Sequence, residues 1–119
     1  MGNTDVKRKA IPKVIRERIH KKYNGHCAYC GCALDYRDMQ VDHLIPQYWY
    51  GGEEEEENYM PACRPCNFYK STMPLEEFRE QLRTIPERLE RGFTYRLARE
   101  YGIVNEKAER IIFYFEREN

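Results

Sequence analysis

No apolar run in the 119-residue sequence approaches the roughly 20 residues that span a bilayer. The basic start, Met1 to Lys9, is not followed by an apolar stretch, so it does not read as a secretory signal. Internal repeats are absent, and Glu53 to Glu57 is the only low-complexity run. Net charge is missing too, because 20 Lys and Arg balance 20 Asp and Glu. These absences exclude a membrane span and a repeat array, and they make a reducing cytoplasm the expected setting. What remains is 41% apolar and 34% charged, enough for a single domain over 1–119 with one modest core.

The balanced total hides an asymmetry. Residues 1–22 hold eight Lys and Arg against Asp5 and Glu17, a net +6. Residues 23–72 hold three basic against eight acidic residues, a net −5, and residues 73–119 hold nine against ten. A polyanion would meet the first segment, with Lys13 and Arg16 as candidate contacts, unless that segment is simply a solvated basic helix. The acidic run Glu53 to Glu57 would repel phosphate and is expected to be a solvated insertion directed away from any nucleic acid.

Local signals suggest an α+β chain. Pro12 suits an early helical position, and Ile11, Val14, Ile15 and Ile19 share a helical face. Asn24-Gly25 then ends the helix, since both residues tolerate left-handed backbone. Extended character follows, and 32–35 with 39–44 are expected to form a hairpin around 36–38. Further helices are expected near 74–84, capped by Ser71 or Thr72, and from a Thr-x-x-Glu capping box at Thr84. Residues 110–116 fit either a strand or, with Ala108, a helical face. Their β-branched and aromatic content favours strand.

Five cysteines in a reducing compartment are better metal ligands than disulfide partners. Cys27-x-x-Cys30 and Cys63-x-x-Cys66 are separated by 32 residues, so two knuckles can offer four thiolates to one structural Zn²⁺. The alternatives are disulfides or redox motifs, and the latter want a thioredoxin-like βαβ context that is not seen here. Cys32 is left as a spare or small buried thiol. Between the knuckles lie Asp42-His43, Gly51-Gly52 and Asn58, and Asn67 follows Cys66 directly. Taken singly, each of these polar residues has a structural explanation. Their interlacing with the thiols is what raises them to a candidate site.

Here the sequence resembles the HNH endonuclease family, in its four-cysteine branch. The resemblance runs through C-x-Y-C-G from Cys27, V-D-H-L-I-P from Val41, the Gly-Gly loop, Asn58, and P-A-C-R-P-C-N-x-x-K from Pro61. It spans residues 11–72, leaving 73–119 as a helical C-terminal extension. The implied fold is a small ββα-metal (His-Me finger) core with a Cys₄ zinc, flanked by an N-terminal helix and C-terminal helices. The implied activity is hydrolysis of DNA to 5′-phosphate and 3′-hydroxyl ends, by nicking or double-strand cleavage. His43 would be the general base, Asp42 and Asn67 ligands of a catalytic cation, and Asn58 the brace of the intervening loop.

The chemistry agrees with that assignment. Histidine titrates near neutrality and can activate a water. An Asp carboxylate and an Asn amide oxygen are hard ligands suited to Mg²⁺ or Mn²⁺. Strand alternation points Asp42 and His43 to opposite faces, so a kink or strand end is needed for both to serve one site. Arg64 and Lys70 are candidate phosphate contacts or ordinary exposed bases. Tyr48, Trp49 and Tyr50 are expected to pack over the hairpin more than to stack on bases. The competing function is a non-catalytic zinc module that binds nucleic acid or protein. Target choice would rest with the C-terminal extension, a homodimer or a separate specificity protein.

Overall fold

The computed structural model describes residues 10–47, 50–107 and 110–117. The expectations for Tyr48, Trp49 and Ala108 fall outside these residues. Pro12 stands one position before the first helix, α1 (Lys13–Lys21), where its preset φ feeds the opening turn. Ile19 is buried on the inner face and Ile11 and Ile15 pack beside it, but Val14 is 56% exposed. Asn24 and Gly25 then take φ of 58° and 77°, turning the chain out of the helix.

The first thiol knuckle follows. The Cys27 amide donates to the Cys32 carbonyl (2.9 Å), and the Gly31 amide donates back to Cys27 (3.0 Å). Gly31 has φ of 83°, and a Cβ there would lie 2.7 Å from the Tyr114 ring. Only glycine suits that turn.

The hairpin expected between 32–35 and 39–44 does not form. Residues 32–35 instead fold back on the knuckle, through a His26–Ala33 bridge and a bond from the Leu34 amide to the Gly25 carbonyl (2.8 Å). Having spent its backbone groups there, the segment leaves the next strand to find another partner. That strand, β1 (Gln40–His43), pairs antiparallel with β2 (Tyr59–Ala62), setting Gln40 opposite Ala62 and His43 opposite Tyr59. Every residue of β2 is buried. Pro61 is tolerated because its N and O face away from β1, and its carbonyl accepts the Ala28 amide (2.8 Å).

Cys63 ends β2 and stands at the N-cap of α2 (Arg64–Lys70). Helix α2 packs on β1 and α1 packs on β2, giving the expected ββα unit with a helix added at its N-terminal side. Among the described residues four helices follow: α3 (Leu75–Arg83), α4 (Ile85–Leu89), α5 (Phe93–Glu100) and α6 (Tyr114–Arg117). No side chain caps α3, whose N-cap is Pro74, or α4. The Thr84 hydroxyl donates backwards to the Glu80 carbonyl (2.9 Å) instead of forming the capping box.

The C-terminal residues are part of the same core. Phe78 of α3 stacks on Phe113 at 5.2 Å, and both meet Tyr29 edge-on at 5.5 Å. The favoured strand over 110–116 is not observed: residues 111–113 have no regular secondary structure, and α6 begins at Tyr114. The amides of Tyr114 and Phe115 donate to the carbonyls of Tyr29 and Ala28, and the Glu116 carboxylate accepts the Phe113 amide. Those bonds use the groups that a ladder would have needed. No helix among the described residues is long and apolar enough to cross a membrane.

Candidate metal centre and active site

The sulfurs of Cys27, Cys30, Cys63 and Cys66 all lie within 4.8 Å of one another. A tetrahedral zinc with Zn–S bonds of about 2.3 Å wants sulfurs about 3.8 Å apart. The Cys30–Cys63 pair is at 3.7 Å, so the thiols fit the ion. A hydrogen bond from Cys66 and backbone amides lower the Cys27 thiol from its ordinary value. Cys32 is exposed, not the small buried residue considered above, and stands outside this set of four.

Asp42 and His43 close β1 and are both buried, at 6% and 8% exposure. The carboxylate turns toward the knuckle and α2. Its Oδ2 accepts the Tyr29 hydroxyl at 2.5 Å and lies 3.0 Å from Lys70 Nζ. Burial first, and then the Asp42 charge, raise the Tyr29 phenol well above its ordinary range, so it stays a donor. Lys70 is fully buried and also donates to the His43 carbonyl (3.0 Å). In sequence it reads as a candidate phosphate contact or an ordinary exposed base; in the fold it is instead buried and paired with Asp42.

The His43 imidazole has different neighbours. Its Nε2 meets Glu54 Oε1, and the Tyr59 ring stands edge-on at 5.4 Å. The two side chains therefore have separate partners at the strand end, and Lys70 ties the residues together by holding the side chain of one and the carbonyl of the other.

Beyond His43 the strand is stopped by Asn58. Its Oδ1 accepts the Ile45 amide (2.8 Å), and its Nδ2 donates to the carbonyls of Ile45 (2.9 Å) and Glu53 (3.1 Å). A Cβ on Gly52 would fall 1.7 Å from the Ile45 carbonyl oxygen, so the loop closes only with glycine there. Asn67 sits on α2 three residues before Lys70, on the same side of the helix.

The acidic run is solvated, with Glu53, Glu54, Glu55 and Glu57 exposed, but it is not directed away from the candidate site. Glu54 faces His43, and Glu56 pairs with Arg18 of α1 at 2.9 Å. The Glu57 carbonyl accepts Lys22 Nζ at 3.4 Å. Arg18 is thus occupied by one of the chain's own acids, and Lys22 by backbone carbonyls. Of the candidate nucleic-acid contacts, Lys13 and Arg64 are exposed, while Arg16 is half-buried and donates to the Met39 carbonyl. Tyr29, Glu54 and the buried role of Lys70 were missed by sequence reasoning. Tyr29 had a signal, because it lies inside the thiol motif, while an aromatic there reads first as core.

Comparison with known proteins locates this arrangement. Residues 27–72 match the family model described as HNH endonuclease. The chain is 32% identical over 54 residues to the CRISPR-associated endonuclease Cas9 of Corynebacterium diphtheriae. It is 38% identical over 48 residues to that of Actinomyces naeslundii. These stretches are 45% and 40% of this chain, and only 5% and 4% of the relatives. The crystal structure of the Type II-C Cas9 enzyme from Actinomyces naeslundii aligns with a TM-score of 0.54 at 27% identity. That alignment covers 64% of this chain and 9% of the other. With its ββα unit, four-thiol cluster and Asp-His strand end all inside the matched residues, the chain carries an HNH endonuclease domain over residues 27–72.

Proposed function

We propose that this domain hydrolyses phosphodiester bonds in DNA, with His43 as general base and Asp42 and Asn67 holding a Mg²⁺ or Mn²⁺ ion. The observation that carries this reading is the end of β1. There Asp42 and His43 are adjacent, buried and stopped by the Asn58 clamp, while α2 packs on the same strand with Asn67 and Lys70 on one side. When bound, the cation would supply Lewis acidity to the phosphate and the leaving oxygen. His43 takes the proton of the attacking water, Asn58 keeps the loop from moving the imidazole, and Lys70 with Tyr29 holds Asp42 in place.

The four thiols hold a structural Zn²⁺ that joins the knuckle at Cys27 to the start of α2. Lys13, Arg16 and Arg64 are the proposed contacts to the DNA backbone. The cytoplasm suits this arrangement because its thiols stay reduced. Residues 11–72 form the nuclease core in this reading. Target choice is assigned to 73–119, to a second copy of the chain, or to a separate specificity protein.

The test is incubation of the purified chain with supercoiled plasmid and Mg²⁺ or Mn²⁺, beside His43→Ala with its zinc content verified. Nicked or linear product from the parent and none from the variant is expected. Equal cleavage by both, or no cleavage by either with any divalent ion, would overturn the reading and leave a non-catalytic zinc module.

A further inference from the structure

We propose that Glu54 is the positioning residue for His43, accepting Nε2–H and so leaving Nδ1 as the nitrogen that takes the proton from water. This rests on the reading of His43 as general base. A carboxylate offers only acceptors, and a neutral imidazole has one donor and one acceptor nitrogen. Contact between Glu54 Oε1 and Nε2 therefore selects the Nε2–H tautomer. Among the described residues no hydrogen bond reaches Nδ1.

Glu54 is held for this task. Tyr59, which faces His43 across the strands, donates its hydroxyl to Glu54 Oε2 (3.3 Å). The carbonyl of the preceding residue, Glu53, is bound by Asn58 Nδ2 (3.1 Å). Gly52 donates to the Pro46 carbonyl (3.0 Å) and closes the loop on which both glutamates ride. Of the neighbouring acids, Glu56 pairs with Arg18, and Glu53, Glu55 and Glu57, exposed like Glu54 itself, make no side-chain hydrogen bond among the described residues. One residue of the five meets the imidazole.

The chemistry follows a carboxylate–histidine pair. Nδ1 accepts a proton from water, the water oxygen forms a bond to phosphorus, and the P–O3′ bond breaks with its electron pair on the 3′ oxygen. Solvent returns a proton to that oxygen. The imidazolium formed on His43 is stabilised by Glu54, as carboxylates beside catalytic histidines do elsewhere.

Glu54→Gln keeps the shape but loses the charge. Plasmid cleavage by the zinc-loaded full chain should fall in kcat on the order of 10²-fold with KM little changed. Glu54→Asp should recover part of the rate, and Glu55→Gln should match the parent. Nitrogen-15 NMR of the imidazoles, with His43 assigned by its absence in His43→Ala, should show the Nε2–H tautomer in the parent and its loss in Glu54→Ala, which removes the acceptor that a glutamine would keep. Cleavage that is unchanged or raised in Glu54→Gln would overturn the proposal while leaving His43 as the base. An Nδ1–H tautomer in the parent would overturn it even if no cleavage were seen.

Discussion

The hydroxyl of Tyr29, which lies inside the first thiol knuckle, donates a 2.5 Å hydrogen bond to Asp42 at the end of β1. The ring is 3% exposed and packed edge-on by Phe78 and Phe113. One rigid side chain thus connects the four-thiol cluster, the C-terminal core and the carboxylate proposed to hold the catalytic cation. Its ring can move only if that core moves, so the geometry of Asp42 depends on the thiol cluster and on residues far along the chain.

Tyr29→Phe keeps the packing and removes the bond. Hydrogen bonds to charged groups contribute about 1.5–3 kcal/mol, and a loss of that size is expected in urea unfolding. Zinc content should stay that of the parent. Unchanged stability would show that Asp42 does not depend on this donor.

Lys70→Met removes a buried cation and leaves the Asp42 charge without its partner. Breaking one side of a buried pair costs about 3–5 kcal/mol, so the single variant should be severely destabilised. Adding Asp42→Asn should recover much of that loss, because the orphaned charge is gone. A double-mutant cycle in urea reads the coupling directly. Additive costs would reject it.

Removal of the metal should dissolve more than the knuckle. Cys63 is both a thiol of the cluster and the N-cap of α2, and the Ala28 amide is bonded to β2 through the Pro61 carbonyl. Cys63→Ser, or a strong chelator, should release zinc and collapse the near-ultraviolet circular dichroism of the buried tyrosines. Retention of that signal without zinc would mean the ion is not structural.

Acid should release the C-terminal segment. A hydrogen bond from Arg79 lowers the Glu116 carboxyl below its ordinary 4.5. A depressed folded value means the stabilisation is complete above about 4.5 and fades as pH falls through the lowered value. Arg79 also donates to the Ile111 carbonyl (2.6 Å) and lies over the Phe113 ring at 4.8 Å. Protection of the Tyr114 and Phe115 amides, measured relative to their intrinsic exchange rate at each pH, should therefore fall in acid. Arg79→Ala should lower it already at neutral pH.

Much of the core was legible because its signals are local. Thiol spacing announced two knuckles, and a Pro12 to Gly25 pattern announced α1 within a residue or two. The order of Asp42, His43, Asn58 and Asn67 between and beside the thiols carried the family resemblance. Where the reading failed, two segments competed for one partner. Residues 32–35 and 59–62 are both extended, and only the second pairs with β1, because the knuckle consumes the backbone of the first. The C-terminal stretch was similarly ambiguous, and bonds to Ala28 and Tyr29 settled it.

The link from Tyr29 to Asp42 falls on the same dividing line. The sequence by itself determined that a tyrosine stands in the knuckle, that Asp42 and His43 are adjacent on a strand, and that four thiols can meet. Tertiary structure alone decided that Tyr29 and Lys70 hold Asp42, that Glu54 meets His43, and that Arg18 is occupied by Glu56. Charge and residue type are properties of the chain. Which charges are buried together depends on loop closure, which no local pattern encodes.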